Sequence, residues 1–355
     1  MSARFLTVVL ERAFNMRDGF GREIDYMRIS VIDSCNLNCY YCNPCDNNEH
    51  CHALNILSVK EVLCIVRAAT RLGIKHFRLT GGEPLLHPQL DEMVLQIKKI
   101  SGVSSVSLTT NAVLLAQHAK WLKEAGIDSI NVSLDTIDAS EYERITKKPL
   151  LEEVKHGINA AIECGIRVKI NVVLTPQTDV VALTRYVAKK GTDIRFIEMM
   201  PVGEGHTNGV EPYKKVIGTL SKLYGEPCRI NTEKTKEINS GNDKRKIPDN
   251  GPAEYYIFPE LGIRVGLIQA IHGKFCDTCN RIRVTADGRL MPCLGSSVTM
   301  DLVPDSWDFA DDAEKDFSIV RALRAAIKAK PRCHNFNDNA VTYTKTTETK
   351  TTEIE

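Results

Sequence analysis

From residue 27 to residue 198 the chain alternates between two hydrophobic periods. Short apolar runs with strand character are "MRISVI" (27–32), "HFRLT" (76–80), "SVSLTT" (105–110), "SINVSL" (129–134), "VKINVVL" (168–174) and "IRFIEM" (194–199). Amphipathic helical stretches separate most of them. "SVKEVLCIVRAATRLG" carries clear boundary signals: Ser58 and Glu61 make a capping box, and Gly73 ends the helix. Gly126 and Gly165 play the same terminating part, and Pro88 suits a first helical turn. Strands alternating with helices predict a parallel sheet built through right-handed crossovers. Six units are too few for an eight-fold barrel. The fold class is therefore α/β, a partial (β/α)6 TIM-like barrel, although a doubly wound sheet has the same local pattern.

Polar residues gather at the ends of these runs: Thr80-Gly81-Gly82-Glu83, Thr109-Thr110-Asn111, Ser133 with Asp135, and Glu198 with Met200. Ligands sit at the carboxyl ends of parallel strands in both architectures, so that rim is the expected site. Ordinary turn chemistry is the competing explanation for any one of these loops. Residues 231–252 are polar and rich in turn formers, which reads as a surface loop, and a smaller region follows. The division expected is an N-terminal extension (1–22), a barrel (23–230), a C-terminal domain (231–336) and a disordered tail (337–355).

Charge narrows the function. Against 46 basic residues stand 45 acidic ones, a formal net charge of +1. That balance gives no long-range attraction to nucleic acid or to acidic membranes. No apolar run approaches the roughly 20 residues that span a bilayer, and the N-terminus lacks a signal-peptide core, so a cytoplasmic protein is expected. Twelve cysteines in such a chain argue against a disulfide framework. Cys64 and Cys164 fall on helical patterns, where buried structural thiols are expected.

The remaining cysteines cluster. "CNLNCYYCNPC" (35–45) contains two competing subsets, C-x3-C-x2-C at Cys35, Cys39 and Cys42, and C-x2-C-x2-C at Cys39, Cys42 and Cys45. The second has ferredoxin spacing but lacks a Cys-Pro fourth ligand, and zinc would accept four thiolates from a tight cluster. The first, with Tyr41 before its last cysteine and "TGGEPLL" (80–86) after the next strand, resembles the radical S-adenosylmethionine (SAM) superfamily. The resemblance implies a [4Fe-4S] cluster on three thiolates whose open iron chelates SAM. Its reduction would cleave SAM to a 5′-deoxyadenosyl radical.

A second group, "FCDTCNRIRVTADGRLMPC" (275–293), adds C-x2-C-x13-C, with no fourth ligand for a zinc ribbon. Three thiolates again suggest a cluster with an open iron. If residues 281–283 are extended, Arg281 and Arg283 face one side beside it and suit an anionic ligand. Together with "RLTGGEPLL", "TTNA", "AGIDSINVSLD" and "RFIEMMP", the chain is similar to the GTP 3′,8-cyclase family of molybdenum cofactor biosynthesis. That resemblance implies a radical SAM barrel closed by a C-terminal iron–sulfur domain, with two [4Fe-4S] clusters and SAM as cofactors. Cys35, Cys39 and Cys42 would hold the first cluster; Cys276, Cys279 and Cys293 the second. Tyr41, Gly82, Ser133 and Met200 would contact SAM. Arg28, Arg78, Thr109, Lys169, Arg195 and the Arg281-Ile282-Arg283 segment would bind GTP, with Arg28, Arg281 and Arg283 nearest the chemistry. Implied partners are an electron donor such as flavodoxin or ferredoxin, a downstream cyclic pyranopterin monophosphate synthase and a homodimer mate. The strand positions of Arg28, Arg78, Lys169 and Arg195 agree, because buried cations need an anion. Four internal salt bridges are the alternative.

The chain departs from the family pattern in places. The family has Lys where His76 stands and Gly where Ala112 stands, Cys45 and Cys51 are extra to the pattern, and Cys333 is assigned no role. The family's terminal Gly-Gly has no counterpart in "TTETKTTEIE", which predicts weak cyclisation by the isolated protein, rescued by a Gly-Gly peptide. Two rivals follow: a two-cluster radical SAM enzyme acting on another nucleotide or a peptide, and a non-catalytic iron–sulfur electron carrier. The strand arginines disfavour the carrier, which needs no substrate pocket.

Overall fold

The computed structural model describes residues 16–42, 55–202, 205, 209–230, 251–296, 298–302 and 312–336. Cys45, Cys51, the loop at 231–250 and the tail at 337–355 lie outside them. The six expected strands form: β1 (Tyr26–Ser30), β2 (His76–Thr80), β3 (Ser105–Thr110), β4 (Ser129–Ser133), β5 (Val168–Leu174) and β6 (Asp193–Glu198). Six more follow: β7 (Cys228–Ile230), β8 (Glu254–Ile257), β9 (Arg264–Ile268), β10 (Arg281–Val284), β11 (Arg289–Met291) and β12 (Met300–Asp301). They make one sheet in the order β12-β11-β10-β1-β2-β3-β4-β5-β6-β9-β8-β7. Strands β1 to β6 are parallel, and the sequence reading did not foresee that β10 and β9 extend that array on its two sides. Two antiparallel strands, β7 and β8, come between the helix at 218–224 and β9, and no α-helix lies between β9 and β10, so the signal of a βαβ unit is missing there. Among the described residues no ladder joins the two edges, and the barrel is open.

Helices α1 (Val59–Arg71), α2 (Leu90–Lys98), α3 (Leu115–Glu124), α4 (Ala139–Thr146), α5 (Leu151–Glu163) and α6 (Val180–Lys189) follow successive strands; α7 (Gly218–Tyr224) and α8 (Asp312–Lys328) come later. The Ser58–Glu61 capping box forms at the start of α1, with both reciprocal bonds. Pro88 differs from expectation: α2 begins at Leu90, and Pro88 sits in the turn before its N-cap. The preceding Pro84–Leu86 3-10 turn places the chain so that Leu90 N–H reaches His87 O, and helical geometry starts only there. Cys64 is buried, and Cys164 caps α5 half-buried.

The strands alternate with period 2, and the two faces differ in kind. Met27, Ile29, Phe77, Leu79, Val106, Leu108, Ile130, Val132, Ile170, Val172, Ile194 and Phe196 are all solvent-free and belong to the apolar core shared with the helices. The opposite positions carry Tyr26, Arg28, Arg78, Ser107, Asn131, Lys169, Asn171 and Arg195, which line a cavity. A barrel of this class normally fills its lumen with branched apolar side chains. Here the apolar packing lies between sheet and helices, and the lumen is left polar.

Candidate active site

The lumenal cavity holds about 500 Å³, the size of a small-molecule site. Register places its cations side by side. Arg28 is opposite Arg78 on β2 and Arg283 on β10, and Tyr26 is opposite Arg281. Burial drives the Arg28 guanidinium well below its ordinary pKa, and Arg283 pushes it further. Burial also lowers Arg281, while Tyr26 and Cys279 oppose that shift. Burial resists ionisation of Tyr26, yet Arg78, Arg28 and Arg281 outweigh it and bring the phenol down to about 8. Like charges are thus crowded in a buried place, where each is costly without an anion.

Internal salt bridges do not relieve them. Among the described residues Arg28, Arg78, Arg195 and Arg281 have no carboxylate at ion-pair distance. Arg78 donates to Tyr26 Oη, to Leu108 O at 3.3 Å and to Thr109 Oγ1 at 3.4 Å. Arg195 Nε donates to Asn171 Oδ1 at 2.9 Å, but its Nη2, like Arg28 Nε, is buried without a partner. Gly266 on β9 makes room for Arg195: a Cβ there would lie 2.8 Å from Arg195 Cγ and 2.9 Å from Tyr255 Cε1.

The first cysteine group follows the carboxyl end of β1, and the Gly-Gly-Glu loop after β2 holds its approach. Gly82 N–H donates to Ile32 O at 2.8 Å and Glu83 N–H to Ser34 O at 2.8 Å. A Cβ on Gly82 would lie 2.1 Å from Ser34 O and 2.5 Å from Asp33 O, so only glycine permits this contact. Glu83 is buried and accepts from Thr110 Oγ1 and Asn111 N–H, both at 2.7 Å, and from Leu85 N–H at 3.0 Å. Burial pushes its carboxyl up to about 7 against these bonds. Asn111 in turn donates to Asn36 Oδ1 at 2.7 Å and lies 3.8 Å from Cys35 Sγ. Gly82→Ala should cost about 1–3 kcal/mol of stability, because backbone must move. Thermal unfolding and SAM binding should both fall; an unchanged melting temperature would contradict the packing described.

Ala112, in the next loop, takes φ +65, a left-handed conformation. That costs roughly 1–2 kcal/mol for a residue with a Cβ. Its methyl is fully buried, which returns about 0.8 kcal/mol and lets Ala stand where the family pattern has Gly.

Cys35, Cys39 and Cys42 are raised by burial first; neighbouring thiols raise Cys35 and Cys39 further, Cys39 to about 12. Tyr41 donates to Asp135, a fully buried carboxyl that burial lifts to about 6 and that also accepts from Val173 N–H at 2.7 Å. The second group is at the opposite end of the strands, since Cys276–Thr278 forms a 3-10 turn leading into the start of β10. Cys276, Cys279 and Cys293 all line the cavity. Each of these groups fits an iron–sulfur cluster: three thiols within electrostatic reach of one another.

The cavity wall therefore includes Arg28, Arg78, Lys169, Arg195, Arg281, Arg283 and Met200 from the residues singled out in the sequence. Thr109 is reached through Arg78, and the Ile282 side chain points away into the core. Tyr41, Gly82 and Ser133 stand at the strand ends rather than in the cavity wall. Sequence reasoning missed Tyr26, Asn131, Asn171, Lys330 and His334, which also line it. The first three could have been found by extending period 2 along each strand. The last two lie far downstream and carry no local signal.

Two family models match successive parts of the chain. Residues 29–182 match the radical SAM superfamily and residues 192–336 match Molybdenum Cofactor Synthesis C. A GTP 3′,8-cyclase of Clostridium perfringens is 35% identical over 324 residues, covering 90% of this chain and 95% of that one. One of Peptoclostridium acidaminophilum is 37% identical over 328 residues, covering 90% and 94%. Among solved structures, Streptococcus suis SuiB bound to precursor peptide SuiA aligns with TM-score 0.57 at 15% identity, over 91% of this chain and 70% of that one. Native anSMEcpe with bound AdoMet aligns with TM-score 0.51 at 16% identity, over 85% and 84%. These last two share the fold. With a polar, cation-lined lumen between two thiol groups and full-length relatives at this identity, the chain belongs to the GTP 3′,8-cyclase family of radical SAM enzymes.

Proposed function

We propose that the protein converts GTP to (8S)-3′,8-cyclo-7,8-dihydroguanosine 5′-triphosphate in molybdenum cofactor biosynthesis, using two [4Fe-4S] clusters and SAM. The observation that carries this reading is the row of Arg283, Arg28 and Arg78 in register across three strands, in a cavity with a cysteine group at its far end. Such a row suits a triphosphate, because guanidinium groups bind phosphate oxygens through paired donors. Tyr26 stands among the arginines as a further donor.

Cys35, Cys39 and Cys42 would hold the first cluster, and Cys276, Cys279 and Cys293 the second. With SAM bound and an electron supplied, the first cluster would provide the radical chemistry that abstracts a hydrogen atom from the ribose 3′ carbon. The chain's own work is placement. The arginine row holds the triphosphate, Lys169 and Arg195 contact the nucleotide on the other side of the lumen, and the apolar shell behind the strands keeps bulk water out. Tyr41, Gly82, Ser133 and Met200 would hold SAM at the carboxyl ends of the strands. In the product C3′ is bonded to C8, and the guanine ring has gained one electron and one proton. The composition therefore equals that of GTP, and a donor such as flavodoxin or ferredoxin supplies the electrons. A cyclic pyranopterin monophosphate synthase would consume the product.

Anaerobic incubation with SAM, reductant and GTP, read by mass spectrometry, should give 5′-deoxyadenosine and a species of GTP mass with a new retention time. Deoxyadenosine formation that leaves GTP untouched even when a peptide ending in Gly-Gly is added would sink the substrate assignment.

A further inference from the structure

Lys330 follows α8 and is 3% exposed, although it carries a full charge. Its ammonium donates to Arg281 O at 2.8 Å and to Pro292 O at 2.9 Å. Lys330 lines the same cavity as Cys276, Cys279 and Cys293. The two carbonyls belong to the two segments that carry the second cysteine group: Arg281 is two residues past Cys279, and Pro292 precedes Cys293. One side chain thus ties both ligand-bearing segments together. Among the described residues no carboxylate lies at ion-pair distance from it. A buried ammonium whose hydrogen-bond partners are two neutral carbonyls lacks a counter-anion, and burying such a group is costly. An anionic group held by the three cysteines would supply the missing charge. His334 of the same segment lines that cavity with Cys276, and its ring nitrogen pairs with Ala270 O at 2.8 Å. Arg22 fixes the segment from behind, donating to Cys276 O and Pro331 O at 2.6 Å and to Arg332 O at 2.9 Å.

We infer that Lys330 is a positioning residue for the second cluster: its ammonium joins the two segments that carry Cys279 and Cys293 and raises the reduction potential of the cluster that the three cysteines hold. This rests on the two-cluster reading above. Reduction adds negative charge, and a buried cation beside a ligating sulfur favours the reduced form. Guanidinium at the same place keeps that effect, and a neutral amide keeps a donor but loses the charge.

The test uses the full chain carrying Cys35→Ser, Cys39→Ser and Cys42→Ser, so that any remaining iron reports the second site. After anaerobic reconstitution, iron is counted and the cluster is titrated by electron paramagnetic resonance at fixed potentials. Lys330→Gln should retain about four irons and show an about tenfold lower reduced-to-oxidised ratio at a given potential, equivalent to ~59 mV for one electron. Lys330→Arg should restore the ratio. If the background protein with Lys330 intact takes up no iron, the two-cluster reading fails. If Lys330→Gln holds its iron with an unchanged ratio, the Lys330 assignment alone fails, and weakened GTP binding in that variant would make the lysine a substrate contact instead. If Lys330→Gln loses iron while Lys330→Arg keeps it, at equal melting temperatures, the charge is needed even to hold the cluster, which supports the assignment.

Discussion

Replacing Cys35, Cys39 or Cys42 by Ser should abolish reductive SAM cleavage and lower the iron content from about eight to about four per chain. A serine hydroxyl stays protonated where a thiol ionises, so it cannot serve as a thiolate ligand. The loop is held at several points. Asn38 N–H donates to Thr146 O at 3.0 Å and Tyr40 N–H to Ile145 O at 3.1 Å, which ties it to the end of α4. Cys42 N–H donates to Cys39 O at 3.0 Å, closing the turn between the last two ligands. The anchors belong to the loop backbone and do not depend on the sulfurs, so the variants should fold and retain the second cluster. Cys45→Ser should leave cleavage intact, because Cys35 completes the superfamily spacing; Cys45 lies outside the described residues. Deoxyadenosine counts and iron analysis decide between the two subsets. Loss of cleavage in Cys45→Ser with retention in Cys35→Ser would favour the ferredoxin-like set.

Much of this site was legible because its signals are local. The cysteines lie at family spacing, and the strand cations stand out in apolar runs. Arg28, Arg78, Lys169 and Arg195 were readable as a set because each interrupts a β-rich stretch. Two kinds of fact were not readable. One is lateral order: that Arg28 has Arg78 on one side and Arg283 on the other depends on β10 joining β1, more than 250 residues downstream. The other is support from afar. Asp18 and Arg22 clasp the second cysteine segment and the Pro331–Arg332 backbone. Lys330 bridges that segment to Pro292. In sequence these are solitary charged residues, and only the closing of the sheet gives them buried partners.

The arginine row yields the most discriminating expectation. Arg28→Met should weaken GTP binding while the protein without ligand becomes no less stable, or more stable. In the folded chain Arg28 is buried beside Arg283 and Arg78, its Nε has no partner, and burial together with these neighbours drives its pKa well down. A buried charge in like company costs several kcal/mol, and an apolar side chain of similar length removes that cost. With ligand the sign reverses. A charged hydrogen bond to phosphate contributes roughly 1.5–3 kcal/mol, so its loss lowers affinity about 10- to 150-fold. The effect should resist moderate salt, because the groups are withdrawn from solvent. Arg78→Met should act alike, and the double variant should fall short of additivity, since the two residues are neighbours in register. SAM cleavage without substrate should persist in all three, as the first cysteine group is untouched. Melting curves with and without GTP read both signs at once. A variant that loses several degrees without ligand, and still gains stability from GTP, would mean that Arg28 serves the fold and leaves the triphosphate to other residues.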